Sequence, residues 1–417
     1  MPAYTNSEIK VLQVTPSGVW LRVRRNSCDK FVRIILPLFL VAALVAIIYM
    51  YADASVSKKS IAIADKSPPI DQIRLPPGFS IEIYAENVTG ARQMALSPNG
   101  TLYVGTRQAG KVYAIPDANR DGIADDVITI ISGLKQPAGV EFRNSSLYVA
   151  EVERVLRYDE IDGRLDNVPA PVVVISGFPE TPEHAWKHIR FGPDGLLYIP
   201  VGAPVDVIDT PENPMYSSIM RMNPDGTGLE VFASGVRNTL GLDWDPVTGY
   251  LWFTENGHNS LNDTGPMDEV NCAPAAGMHF GYPYVHGPGF VDPVYGGEYN
   301  LSLVTPPELD LPPHVAPLGL RFYTGTMFPA EYQNQILIAE HGSLDQFKPA
   351  GYRIELVTLN ERRKAIGRTV FAEGWLQGDK AWGRPVDLLV MPDGSLLVSD
   401  DRAGVIYRIT YNQHGGA

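Results

Sequence analysis

Hydrophobic and polar positions along this chain repeat one unit: a short strand-like run, a turn built on Asn-Gly, Asp-Gly or a related pair, and a second apolar run. The copies read ALSPNGTLYVG from Ala95, VEFRNSSLYVAE from Val140, IRFGPDGLLYIPVG from Ile189, LDWDPVTGYLWFTE from Leu242, FPAEYQNQILIAE from Phe328 and LLVMPDGSLLVSD from Leu388. Asn-Gly and Asp-Gly supply the positive φ of tight hairpin turns, and the L-Y-V type runs have the apolar, aromatic and β-branched make-up expected of buried inner strands. Four copies are followed by another strand, in GKVYAI, RVLRYD, SIMRMN and GVIYRI. Self-similarity at a period of about 50 residues marks a repeat architecture, and six copies predict an all-β fold, a six-bladed β-propeller over residues 75–417. The strand at Phe79–Glu86 precedes the first copy and is expected to close the ring by completing the last blade. Roughly 30 extra residues around Tyr284–Pro313 form a Pro- and Gly-rich insertion, which in repeat folds maps to one face.

A second kind of patterning precedes the repeats. Residues 34–52 are nineteen consecutive uncharged, mostly apolar residues, about 28 Å long as a helix and so matched to the hydrocarbon thickness of a bilayer. They predict a transmembrane anchor, with residues 1–33 as a cytoplasmic N-terminal segment and 53–74 as a polar linker. Lys10, Arg22, Arg24, Arg25, Lys30 and Arg33 before the span outnumber Glu8 and Asp29, so the positive-inside rule leaves the propeller on the periplasmic or extracellular side. A cleaved signal peptide is the competing reading, with Ala52-Asp53-Ala54 as a cleavage site, but the apolar run exceeds the usual ~7–15 residues.

The chain of 417 residues has a net charge of −13, and with six basic and two acidic groups in the first 52 residues the remainder carries −17. That balance argues against a nucleic-acid partner, whose phosphates call for Lys and Arg. Cys28 and Cys272 fall on opposite sides of the predicted membrane, which leaves no intramolecular pair, and Cys272 reads as a small buried residue. No C-x-x-C-H sequence exists for covalent haem attachment.

The polar motifs gather next to the repeat strands, where loops converge on a propeller's axis. EHAWKHIRFGPDG brings Glu183, His184 and His188 ahead of the third copy, and GVRNTLGLDW brings Arg237 and Asn238 ahead of the fourth. FTENGHNS follows the fourth copy with Asn256, Gly257 and His258, while AEHGSLDQFKPAGYRI and WGRPVDLLVMPDG add Lys348 and Arg384. Arg237, Lys348 and Arg384 in so acidic a chain suggest a small polyanionic ligand. His184 and His188 have i, i+4 spacing, but HAWKH lacks the Glu of a zinc-protease helix and leads into a strand, where such residues lie about 13 Å apart. DANRDGIAD aligns Asp117, Asn119, Asp121 and Asp125 with positions one, three, five and nine of a calcium loop and Gly122 with its turn; Ile128 stands where the closing Glu belongs. A solvated Asp-rich turn is the alternative.

These segments, in this order, resemble the sorbosone and aldose sugar dehydrogenases, relatives of soluble quinoprotein glucose dehydrogenase. H-A-W-K-H-I-R-F-G-P-D-G, G-V-R-N, E-N-G-H-N-S with D-E-V-N and G-Y-P, A-E-H-G-S, and W-G-R-P-V-D with P-D-G-S-L-L-V-S-D carry the likeness over nearly all of residues 75–417. The resemblance implies a dehydrogenase that oxidises a sugar, polyol or aldehyde with bound pyrroloquinoline quinone and Ca2+. It implies His184 as general base with Glu183 beside it, hydride transfer to the quinone, and Arg237 facing the quinone oxygen that gains charge. It implies calcium on the backbone carbonyls of Gly257 and His258. Cofactor contacts would come from Asn238, Asn256, Lys348 and Arg384, with Gln136 and His314 as further candidates. The chain departs from the pattern at Pro312, where the glucose enzyme has an aromatic residue, and at Val386, where the family has a second arginine. Such an enzyme needs a separate electron acceptor, a membrane quinone or a soluble cytochrome. Two other functions compete: a calcium-dependent lactonase or esterase on a six-bladed propeller, which calls for Asp, Glu and Asn side chains converging on a metal, and a non-catalytic recognition propeller.

Overall fold

The computed structural model describes residues 10–15, 18–25 and 28–34 by their backbone, and residues 68–180, 183–208, 213–259, 265–344 and 348–412. It divides into two compact units, residues 1–67 and 68–417. In the first, Lys10–Thr15, Gly18–Arg25 and Cys28–Ile34 form an antiparallel three-stranded sheet. Ile34, expected to open a membrane helix, instead ends a strand, in keeping with the β-preferring Phe31, Val32 and Ile34 around it. The rest of the apolar segment lies outside the described residues, among which no helix is long and apolar enough to cross a membrane.

The second unit is a ring of six sheets, antiparallel throughout except at the outer edge of the third. The first blade pairs Ala91–Leu96, Leu102–Thr106, Lys111–Ile115 and Ile128–Ser132 in chain order, and the second pairs Gly139–Arg143, Ser146–Ala150, Arg154–Tyr158 and Val172–Ser176. The third begins at Arg190–Phe191, the fourth at Leu242–Trp244, the fifth at Pro317–Phe322 and the sixth at Pro385–Val390. The sixth has only three strands of its own until Phe79–Ala85 pairs with Val405–Tyr411, the ring closure expected from sequence. Phe79 fixes that closure among Phe328, Tyr332, Phe371 and Tyr411, with ring centroids 4.7–5.2 Å away.

The tight turns follow their chemistry. Gly100, Gly195 and Gly394 hold φ of 93°, 83° and 88°, and in the second blade Asn144 and Ser145 take φ of 49° and 63° without glycine. One expectation shifts. The fully buried L-Y-V strands, such as Leu102–Thr106, are second from the axis, and the strand before each turn is innermost. The second strand is the more apolar because both its faces meet neighbouring blades: Leu102 and Val104 pack with Leu397 and Ile406 of the last blade, while Tyr103 packs with Leu147 and Val149 of the second. Each such side chain contributes about 1.5–3 kcal/mol on burial.

Innermost strands are joined across blades by buried polar side chains. Gln93 donates to the Ile189 carbonyl (2.6 Å) and accepts from the Ile189 amide (3.1 Å), and Asp387 accepts from the Met94 amide (2.9 Å). Gly241 lets the fourth and fifth blades touch, since a Cβ there would lie 1.9 Å from the Leu318 carbonyl oxygen. Leu240, Leu318 and Val386 stand at equivalent starts of three innermost strands and, with Trp186, form an apolar plug across the axis. Val386, where the resemblance leads one to expect an arginine, is thus a residue of the plug. Just before the insertion, Met278–His279 add a parallel strand to the outer edge of the third blade, and the insertion itself opens with the hairpin of Val285–His286 and Phe290–Val291.

Candidate active site

Above the plug, where the innermost strands begin, the blades enclose a cleft of about 820 Å³ including the part open to solvent. Its wall brings together His184, Arg237, Asn238, Asn256, Gly257, His314 and Arg384 from the sequence-derived set, and adds Arg92, Arg107, Trp186, Asp268 and His341. Glu183 and Lys348 are exposed and do not line it. Gln136 stands behind the wall, where its Oε1 accepts from Arg107 Nε at 3.4 Å. His258 is buried outside the lining, beside His286.

His184 sits at the end of a loop in left-handed backbone, φ 49°. Its Nδ1 lies 2.9 Å from the Ala203 carbonyl oxygen, and because a carbonyl only accepts, Nδ1 carries the proton and Nε2 keeps its lone pair. Gly202 makes room for the ring, since a Cβ there would come within 2.6 Å of the His184 Cβ. Burial, then the charge of Arg237, lowers the His184 pKa to about 4, so the imidazole is neutral at physiological pH.

Arg237 is 2% exposed. Asp206 holds it: Nε donates to the Asp206 carbonyl oxygen (2.9 Å) and Nη2 to its Oδ1 (2.6 Å), while Nη1 donates to the Asn256 carbonyl oxygen (3.0 Å). The Asn259 amide also donates to Asp206 Oδ1 at 2.8 Å, which ties the loop between the second and third strands of the fourth blade to the same carboxylate. Asn256 turns its amide group to the carbonyls of Asn238 and Pro317, 3.2 Å each. Asp268 accepts from the Gly257 amide (2.7 Å) and the Ala316 amide (2.9 Å), and burial raises its pKa to about 7.

The far wall is cationic. Arg384 donates Nε to the His341 carbonyl oxygen (3.0 Å) and Nη2 to that of Ser343 (3.2 Å), with Tyr352 beneath at 5.5 Å. Arg107 lies 3.5 Å above the Trp186 ring, a cation–π contact. Arg92 Nη1 is 3.3 Å from Asp401 Oδ2 but misaligned for hydrogen bonding, and its Nε and Nη1 are buried without a hydrogen-bond partner. Burial works against ionisation of Asp401, yet His341 (2.9 Å) and Arg92 hold its pKa below the usual carboxylate range. Orphaned guanidinium N–H groups at a cleft suit an anionic ligand able to accept from them.

Residues 66–410 match the family described as "Domain of unknown function (DUF7133)". The chain belongs to that family. An uncharacterised protein of Borreliella burgdorferi is 31% identical over 360 residues, covering 82% of this chain and 91% of the relative. Among solved structures, the calcium structure of a Trichoderma reesei carbohydrate-active enzyme of family AA12 has a TM-score of 0.71 at 18% identity, covering 82% of this chain and 97% of that one. The PQQ-bound aldose sugar dehydrogenase of Streptomyces coelicolor has a TM-score of 0.57 at 21% identity, covering 81% of this chain and 100% of that one. At these identities the likeness establishes the shared propeller fold.

Arg92, Arg107, Asp206 and His341 were missed in the sequence. Arg92, Arg107 and Asp206 stand in none of the motifs, whereas His341 lies within A-E-H-G-S, where the resemblance assigns it no role. Asp268 opens the D-E-V-N segment of the resemblance, which assigns it no role.

Proposed function

We propose that the propeller oxidises a sugar, polyol or aldehyde with pyrroloquinoline quinone and calcium, using His184 as general base. The observation that carries this reading is a neutral histidine with Nε2 available in the same cleft as the unmatched N–H groups of Arg92. The solved relatives of like fold, one bound to PQQ and one a calcium structure, support it. When bound, the quinone would accept the hydride, with calcium acting as Lewis acid.

The chain's own residues supply the rest. His184 Nε2 removes the hydroxyl proton of the substrate, or of the hydrated aldehyde, while the Nδ1–H bond to Ala203 fixes ring and tautomer. Asp206 keeps the Arg237 guanidinium in place beside the reacting centre, and burial strengthens its field. Arg92, Arg107 and Arg384 would meet carboxylates of the cofactor, Asn238 and Asn256 would line its polar edge, and His314 would stand over the cleft wall. The backbone carbonyls of Gly257 and His258 would offer oxygen donors of the kind calcium prefers. In the Asp117–Asp125 loop, Asp117 Oδ2 accepts from the Gly122 amide (3.1 Å), Asp125 Oδ2 from the Ala118 amide (2.7 Å) and Asn119 Oδ1 from the Asp121 amide (3.1 Å). Calcium binding there would enlist Asp117 Oδ1, which is buried without a partner. Residues 35–52 would anchor the protein in a membrane, and a quinone or cytochrome would receive the electrons.

The lactonase reading draws on Asn238, Asn256 and Asp268 sharing the cleft, but both oxygens of Asp268 already accept backbone amides. The test uses the full-length chain, stripped with chelator and titrated with PQQ and Ca2+, while dye reduction is followed with aldoses, sorbosone and polyols. Activity that needs both additions and is lost in His184→Ala supports the proposal. Absence of PQQ binding, or ester hydrolysis restored by Ca2+ alone, overturns it.

A further inference from the structure

Behind the Gly257 wall, His258 from the fourth-blade loop meets His286 and Asp292 from the insertion. Among the described residues this is the one group of three or more His, Cys, Asp or Glu whose candidate ligand atoms all lie within 4.8 Å of one another. All three residues are buried, at 3%, 5% and 5% exposure. The imidazole rings of His258 and His286 stand 4.5 Å apart at 62°, and His286 Nε2 is 3.2 Å from Asp292 Oδ2. We propose that His258, His286 and Asp292 bind one divalent transition metal of the zinc class, at a site separate from the cofactor cleft.

Two imidazole nitrogens and one carboxylate oxygen form a borderline donor set suited to Zn2+ and its neighbours, and too poor in oxygen for Ca2+ or Mg2+. Ligands about 2.0–2.1 Å from a tetrahedral ion lie about 3.3 Å from each other. The present spread therefore needs at most about 1.5 Å of contraction. The orientation is already built: Asp292 Oδ1 accepts from the amides of Val294 (2.8 Å) and Tyr295 (2.9 Å), which leaves Oδ2 turned to His286. Such outer bonds are what hold metal-binding carboxylates in place. A water completes four-coordination. The ion would clasp the insertion to the loop that carries Asn256 and Gly257, so its role is positional.

The experiment uses the full-length protein after chelator treatment, titrated separately with Zn2+, Co2+ and Ca2+. One equivalent of zinc should be retained by mass spectrometry, Co2+ should give the intense visible bands of four-coordinate cobalt, and Ca2+ should not compete. Outer partners of metal ligands are worth about 10–100-fold in affinity, so loss of a ligand should weaken zinc binding about 100-fold or more. Asp292→Asn keeps the Oδ1 bonds to the backbone and so tests the ligand with the fold preserved; His286→Ala is the second variant, with circular dichroism as the check on folding. Substoichiometric zinc in the native chain, octahedral cobalt spectra, or unchanged affinity in folded Asp292→Asn would each overturn the site. PQQ binding measured on the same samples separates this outcome from that of the cleft.

Discussion

The two ends of the propeller axis hold similar residues in opposite arrangements. At the turn end, Arg190 pairs with Asp243 (3.1 Å) and Arg321 with Asp387 (3.5 Å), while burial raises Glu141 to a pKa of about 8 and keeps it a neutral acid. At the other end four arginines line the cleft, and Asp206 and Asp401 hold Arg237 and Arg92 from the side. One end balances its charge internally and ties blades together. Each end leaves a buried guanidinium nitrogen without a hydrogen-bond partner, Arg190 Nη1 at the turn end and Arg92 Nε and Nη1 at the cleft. Among the described arginines that line the two ends, only Arg107 and Arg384 of the cleft are met by no carboxylate at ion-pair distance. That excess of positive charge suits an anionic ligand.

The largest effect that would separate the two ends is on chemistry. His184→Ala should lower kcat by about 10²–10⁴ with the thermal midpoint nearly unchanged, measured by steady-state dye reduction. Full activity in that variant would place the base elsewhere. At the turn end, Arg190→Met strips Asp243 of its partner and should destabilise the protein by about 3–5 kcal/mol in denaturant melts. PQQ affinity should stay as it was, and a parallel loss of affinity would erase the contrast.

Arg92→Met should do the reverse, weakening PQQ binding about tenfold to a hundredfold by titration calorimetry with little change in kcat. The smallest signal is in pH. With the His184 pKa lowered to about 4, the basic form persists above that value, so the acid limb of kcat/KM should fall near pH 4 and not near 6.5. The same shift means that unfolded chain binds more protons than folded chain between pH 6.5 and 4. His184 therefore subtracts stability as pH drops through that window. An acid limb near 6.5 would mean that the imidazole is solvated as an ordinary side chain.

The fold was largely legible because each hairpin needs a local sign: Gly100, Gly195 and Gly394 at positive φ, flanked by apolar runs. Phe79–Ala85 could be read as the closing strand because the last copy ends one strand short. The cleft was legible where a motif carries several functional residues in one loop, as with Arg237 and Asn238 or Asn256 and Gly257. It was not legible where a residue arrives alone from a distant blade. Arg92 and Arg384 share a wall although nearly the whole propeller separates them in sequence, and Asp206 reaches Arg237 across a loop with no signature. Lys348 is the converse case, a cation in a plausible loop that is exposed and does not line the cleft. His286 and Asp292 belong to an insertion with no repeat to align against, so their meeting with His258 emerges only from the folded chain.

The pairing of Phe79–Ala85 with Val405–Tyr411 also sets an order of events in biosynthesis. Of the propeller's strands the closing one leaves the ribosome first and its partner last, so the ring stays open while every blade between them is made. Local blades can form as they emerge, but Arg92 and Arg384 reach the same wall only when the final strand locks. A cleft able to retain a ligand thus comes into being only once Val405–Tyr411 has emerged, and a ribosome stalled before Val405 would hold a chain whose sixth blade lacks its third strand and so cannot accept Phe79–Ala85.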